Sequence, residues 1–217
     1  IFHFGSLSFT HPGVREASIY AIRCAKEAGA WISFDPNLRK PLWNDLADAK
    51  KAIEYGMGCC DILKISDNEL MFMTGETDYD KGALFLQDKY KIPLLCVTLG
   101  KEGSRAYYKG MKVTGKPFLQ ENTIETTGAG DTFTGCMLNT VLEKGLYCLT
   151  KEDIRQMLLF ANGGASLLGA FDLLISALSS CLNIYGKCIR QLGGHGPGRC
   201  HGNIRILLLH PFHCSKS

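Results

Sequence analysis

Thr126-Thr127-Gly128-Ala129-Gly130-Asp131-Thr132-Phe133 carries the most chemical content in this 217-residue sequence. Glycines at 128 and 130 let the backbone approach a ligand with no Cβ in the way. A helix expected to begin at Asp131 points unsatisfied N–H groups and the positive end of its dipole into the same space. Together they make a hole suited to a transferring phosphoryl group. A carboxylate at the mouth of that hole repels phosphate, so Asp131 is better used as a base that takes a proton from an attacking hydroxyl. The plain alternative is a helix N-cap. A bare Gly-x-Gly-Asp divides evenly between the two readings, and the eight-residue context favours the base.

Three weaker patterns are set aside. Gly110 to Lys116 has the spacing of a phosphate-binding loop, but Pro117 stands where a Ser or Thr would bind magnesium, and the stretch reads as a hairpin. Cys200, His201, His210, His213 and Cys214 offer zinc ligands at a spacing that matches no common finger. Gly193 to Gly198 is glycine-rich with no strand before it, which fits a turn.

The elements that must position the motif alternate between strand and helix. Phe2 to Phe9 reads as a strand, followed by a helix on Val14, Ala17, Ala21, Ala25 and Ala28 that stops at Gly29. Strands are expected at Trp31–Phe34, Ile62–Ile65 and Leu94–Thr98, with helices at Asp45–Tyr55, Asn68–Met73 and Tyr79–Tyr90 between them. A hairpin follows from Ser104 to Lys112, turning at Lys109-Gly110, and then helices from Asp131 to Glu143 and from Lys151 to Leu168. Short continuous apolar strands in this rhythm imply an α/β fold: a mostly parallel sheet with helices on both faces. Ligands of such sheets sit beyond the carboxyl ends of the strands. Those ends carry Asp35-Pro36-Asn37, Lys64 and Thr98-Leu99-Gly100.

Composition bounds the partners. A net charge of +3 is too small to argue for nucleic acid or a membrane surface. The apolar run from Leu167 to Ile184 is marginal in length and interrupted by Asp172 and serines, so no membrane span is expected. Ile1-Phe2-His3-Phe4 lacks the charged start of a signal peptide. Ten cysteines without regular spacing, in a chain able to bury a full core, read as reduced thiols in a cytoplasmic setting. Residues 1–168 hold 19 Lys and Arg against 20 Asp and Glu, whereas 169–217 hold five bases against Asp172 alone. The same tail holds four cysteines and four histidines and loses all periodicity. Two segments are therefore expected: a core over 1–168 and a tail over 169–217, out of frame or disordered.

Thr126 to Phe133 resembles the signature of the ribokinase-like, phosphofructokinase-B-type sugar kinases. Four further stretches agree in order. Phe34-Asp35-Pro36-Asn37-Leu38-Arg39 with Leu42-Trp43 resembles the fructokinase branch, and Lys64 to Leu70 the segment with the family's metal-associated glutamate. Thr98 to Gly103 resembles the nucleotide-binding strand end, and Phe160-Ala161-Asn162 the helix that borders the adenine. The resemblance implies a three-layer α/β/α ribokinase-like fold and ATP-dependent phosphorylation of a sugar hydroxyl, fructose above all. It implies Asp131 as base, and backbone N–H groups of Gly128, Ala129 and Gly130 as the anion hole. Glu69 would hold Mg²⁺ through water. Thr98, Gly100 and Gly103 would line the ATP site, with Asn162 near the base, and Asn37 and Arg39 would face the cleft between sugar and phosphates. Without the family, Arg39 would be a solvated cation, Glu69 an exposed helix residue, and Asn162 merely a polar position on a helix.

The departures narrow what carries over. Glu125 stands where the signature usually has an aspartate tied to a monovalent cation, so a potassium requirement is not carried over. The first strands of the sheet, the small β lid and most sugar contacts of the family are expected to be missing, which leaves the chain inactive alone. A homodimer stays open for the full-length form. A 2-keto-3-deoxygluconate kinase, which shares Asp-Pro-Asn-x-Arg, is the alternative within the class. An inactive nucleotide-binding remnant is the alternative outside it.

Overall fold

The computed structural model describes residues 1–118 and 128–167. Among them six strands form one sheet in sequence order: β1 (Phe2–Gly5), β2 (Ile32–Asp35), β3 (Ile62–Ser66), β4 (Leu94–Thr98), β5 (Ser104–Tyr108) and β6 (Met111–Gly115). The first four run parallel, and the β5–β6 hairpin closes that side antiparallel. Helices α1 (Pro12–Glu27), α2 (Leu46–Cys59), α3 (Asp67–Thr74) and α4 (Tyr79–Tyr90) supply one layer. Helices α5 (Ala129–Lys144) and α6 (Lys151–Leu167) supply the other.

Alternation along the strands makes the two cores. Phe34, Leu63, Ile65, Leu95 and Val97 face Ile22, Ile53, Leu70 and Leu86 of the first layer. Ile62, Leu94, Cys96 and Ala106 face Phe133, Met137, Val141, Met157 and Leu158 of the second. A strand buried on both sides reads as a continuous apolar run, which is why β2, β3 and β4 were legible.

Three local expectations change, and one plain alternative falls. The Phe2–Phe9 strand ends at Gly5, because the backbone N–H and hydroxyl of Ser6 both donate to the Pro36 carbonyl and draw Ser6–Phe9 into a 3₁₀ turn. The inner face of α1 is Ser18, Ile22 and Ala25, while Val14 is exposed. Ser18 is tolerated inside because its hydroxyl donates to the Val14 carbonyl. Helix α5 starts two residues earlier than expected, with Gly128 as N-cap at φ 86°, so Asp131 is its third residue and not its cap. Glu69 is buried where an exposed helix position was the plain alternative. The 169–217 tail lies outside the described residues.

Glu69 is a clasp between segments. Ser66 caps α3 by accepting from the Glu69 N–H (3.3 Å), while Glu69 Oε2 accepts from the Ser66 N–H (2.9 Å). Its other oxygen accepts from the Leu38 N–H (2.7 Å), which ties the loop after β2 to the start of α3. Hydrogen bonds to charged groups are worth about 1.5–3 kcal/mol each. Glu69→Ala is therefore expected to lower unfolding stability by about 2 kcal/mol or more in urea titrations. A change below about 0.5 kcal/mol, the range of an indifferent surface substitution, would show that the clasp holds nothing.

Candidate active site

The carboxyl ends of β2 and β3 lie side by side, and the first turn of α5 comes down over them. Asp35 closes β2. Its Oδ1 accepts from the Asn37 N–H (3.2 Å), which folds Asp35-Pro36-Asn37 into a tight turn with Asn37 at φ 42°. The Glu69 clasp on Leu38 then fixes where Arg39 leaves that turn. Lys64, in the middle of apolar β3, lies on the same face as Asp35, and its Nζ is 3.0 Å from Asp35 Oδ2. Both side chains are more than nine-tenths buried.

Above this pair, the α5 N-terminus has no side-chain cap among the described residues. The first helical bond runs from the Thr132 N–H to the Gly128 carbonyl (2.9 Å), so the N–H groups of Gly128, Ala129, Gly130 and Asp131 have no partner within the helix. Gly128 enters through a left-handed conformation that other residues adopt only with strain. Gly130 leaves room for the ammonium: a Cβ there would lie 3.0 Å from Lys64 Nζ, the far end of a flexible side chain. Thr134, one turn on, donates to the Gly130 carbonyl (2.9 Å) and lies 3.4 Å from Asp35 Oδ2.

These groups enclose a cavity of about 160 Å³ lined by Asp35, Asn37, Arg39, Lys64, Gly128, Gly130 and Asp131. At about 30 Å³ per water, that is room for about five waters or a phosphoryl group with its acceptor. Burial pushes the Asp35 carboxyl up to about 6; the Lys64 ammonium opposes this and the Glu69 charge adds to it. The Asp131 carboxylate is exposed at the mouth.

The sequence-expected residues thus fall into two groups. Asn37, Arg39, Gly128, Gly130 and Asp131 share one cavity, and Ala129 adds its N–H to the same helix turn. Thr98, Gly100, Gly103 and Asn162 gather elsewhere, at the ends of β4 and β5 beneath α6. Thr98 pairs with Ser66 on β3 and Ser104 on β5. Gly100 and Gly103 bracket a 3₁₀ turn, and Gly103 (φ 89°) packs where any Cβ would collide with the Gly115 carbonyl oxygen. Asn162 is buried and donates to Ser104 Oγ (2.9 Å) and the Lys116 carbonyl (3.1 Å), pinning α6 to the hairpin.

Glu69 is not among the residues lining the cavity, and each of its oxygens already accepts one backbone N–H. A carboxylate oxygen has a second lone pair left, which suits hydrogen bonds to a metal's water shell more than direct ligation. Among the described residues no three His, Cys, Asp or Glu side chains gather as a metal cage. That donor set fits Mg²⁺, which keeps its waters and is held by one or two carboxylates plus substrate phosphates. In the sequence, Lys64 and Asp35 are polar strand ends with no assigned role. The available signal was a lysine inside the run Ile62-Leu63-Lys64-Ile65, where a charge is costly unless paired.

No helix among the described residues is long and apolar enough to cross a membrane. The same scaffold occurs in a fructokinase of Vibrio cholerae O395 solved with fructose, ADP and calcium bound. The match has a TM-score of 0.69 and 30% identity, and covers 76% of this chain and 53% of that one. "Probable fructokinase-2" of Arabidopsis thaliana is 40% identical over 162 residues, 75% of this chain and 49% of that protein. "Fructokinase-2" of Solanum lycopersicum is 37% identical over 161 residues, 74% and 49% respectively. The chain thus spans about half the length of these relatives. Residues 1–168, which hold every element described above, match the profile of the pfkB family carbohydrate kinases, and with the glycine-capped helix over paired strand ends they place the chain in that family.

Proposed function

We propose that this chain carries the phosphoryl-transfer half of an ATP-dependent sugar kinase whose favoured reaction is fructose to fructose 6-phosphate. The observation that carries the reading is the shared cavity: a carboxylate at its mouth and, among the described residues, a helix N-terminus with no side-chain cap in its wall. The similarity to a fructokinase solved with fructose and ADP supports the choice of sugar.

In this reading the sugar hydroxyl lies against Asp131, which accepts its proton as the oxygen attacks the γ-phosphorus. The new O–P bond forms as the bond to the β–γ bridging oxygen breaks, and ADP leaves with that electron pair. The N–H groups of Gly128, Ala129 and Gly130 stabilise charge on the transferred oxygens, in a site that burial keeps low in dielectric. Asn37 and Arg39 orient the substrate between hydroxyl and phosphates. The turn at Thr98, Gly100 and Gly103 and the wall that Asn162 pins form the nucleotide end. Mg²⁺, held through its waters by Glu69, would neutralise the polyphosphate.

Phosphorylation of fructose, ribose and 2-keto-3-deoxygluconate is the direct test, using the chain supplied with the half of a plant fructokinase that the match leaves uncovered. Turnover on fructose is expected to dominate. Nucleotide binding with no turnover on any sugar would leave a binding remnant. Asp131→Asn is expected to cut kcat by about 10²–10⁴-fold while ATP affinity changes little. Unchanged kcat would remove Asp131 as the base. Gly130→Ala is expected to keep or slightly raise the melting temperature, since alanine is the better helix former by about 1 kcal/mol. The same change should lower kcat by about tenfold or more, because the added methyl displaces Lys64 and narrows the cavity.

A further inference from the structure

The ammonium of Lys64 is underused. It has three N–H donors, and Asp35 is its one hydrogen-bond partner among the described residues. Asp35, by contrast, is held from two sides, by Lys64 on β3 and by the Asn37 N–H in its own turn, with the Thr134 hydroxyl of α5 3.4 Å away. The carboxylate is the fixed member of the pair and the ammonium the one with capacity to spare. That capacity lies against the polar cavity, directly under Gly130.

A pair serving stability alone has no need of this arrangement, since buried ion pairs are commonly replaceable by apolar residues of similar volume. Electrostatics point the same way. Asp35 and Asp131 place two negative charges on the cavity wall against the cations Arg39 and Lys64, and Arg39 is exposed. Without the buried cation, the interior of a site meant for an anion would present only Asp35.

We propose that Lys64 binds the transferred phosphoryl group through its remaining N–H donors, and that Asp35 is the positioning residue that holds the ammonium in place. This rests on the phosphotransferase reading above. The contact is to the terminal phosphate, because Lys64 shares its cavity with Asp131 and not with the Thr98–Asn162 group.

Calorimetric titration of the chain with ATP and with ADP, both in Mg²⁺, tests the proposal. Lys64→Met is expected to weaken ATP by roughly tenfold to a hundredfold, the loss of a charge-assisted hydrogen bond, with ADP changed about threefold or less. Asp35→Asn, which keeps the lysine but loosens its hold, is expected to shrink the same ATP-to-ADP ratio. If Lys64→Met does not fold, the double variant Asp35→Asn with Lys64→Met carries the measurement, since it buries no unpaired charge. Equal losses for both nucleotides, or none, would leave the pair a structural one and overturn the proposal while the kinase reading stands. A wild-type chain that binds neither nucleotide would overturn that reading and this proposal with it.

Discussion

The approach of one helix N-terminus to two strand ends governs the rest of the molecule. Helix α5 is seated on the sheet by Phe133, Met137 and Val141, all buried, and that seating leaves its first turn projecting past the ends of β2 and β3. Four backbone N–H groups at a helix start are unsatisfied by construction. Here Gly128 caps the helix with no side-chain acceptor. Among the described residues, the positive end of the dipole therefore faces the cavity beneath it.

That orientation dictates the chemistry of the sheet below. The strand face beneath α5 and α6 is apolar at Ile62, Leu94, Cys96 and Ala106, and it turns polar at Asp35 and Lys64, under that first turn. Two opposite charges can be buried there because each meets the other and because the Asn37 N–H supplies Asp35 a further hydrogen bond. The loop carrying Asn37 and Arg39 gains its position from Glu69, two elements away. The carboxylates thus divide the work: Glu69 holds the loop, Asp35 holds the cation and Asp131 faces the opening.

The second cluster is built differently. Thr98 and the turn from Gly100 to Gly103 are set by backbone pairing and close packing, and Asn162 spends its amide on joining α6 to the hairpin. Such a wall offers shape and backbone groups more than charge. A nucleotide lying with its phosphates toward α5 and its base toward α6 would meet charge at one end and packing at the other.

The order of strands and helices and the mostly parallel sheet were determined by the sequence alone, because apolar runs bounded by glycine, proline and acidic caps are local signals. β4 and α4 have the same limits in sequence and structure for that reason. The inward face of α1 was misread because several small residues share its helical spacing, and only packing against the sheet selects Ser18, Ile22 and Ala25. The start of α5 was misplaced because a glycine cap depends on a positive φ that composition does not reveal. Nor could the sequence decide what Glu69 and Lys64 do. Glu69 meets Leu38 from 31 positions away and Lys64 meets Asp35 from 29, so their roles arise only when the sheet brings distant strand ends together. Burial then gives those charges a strength they lack in water.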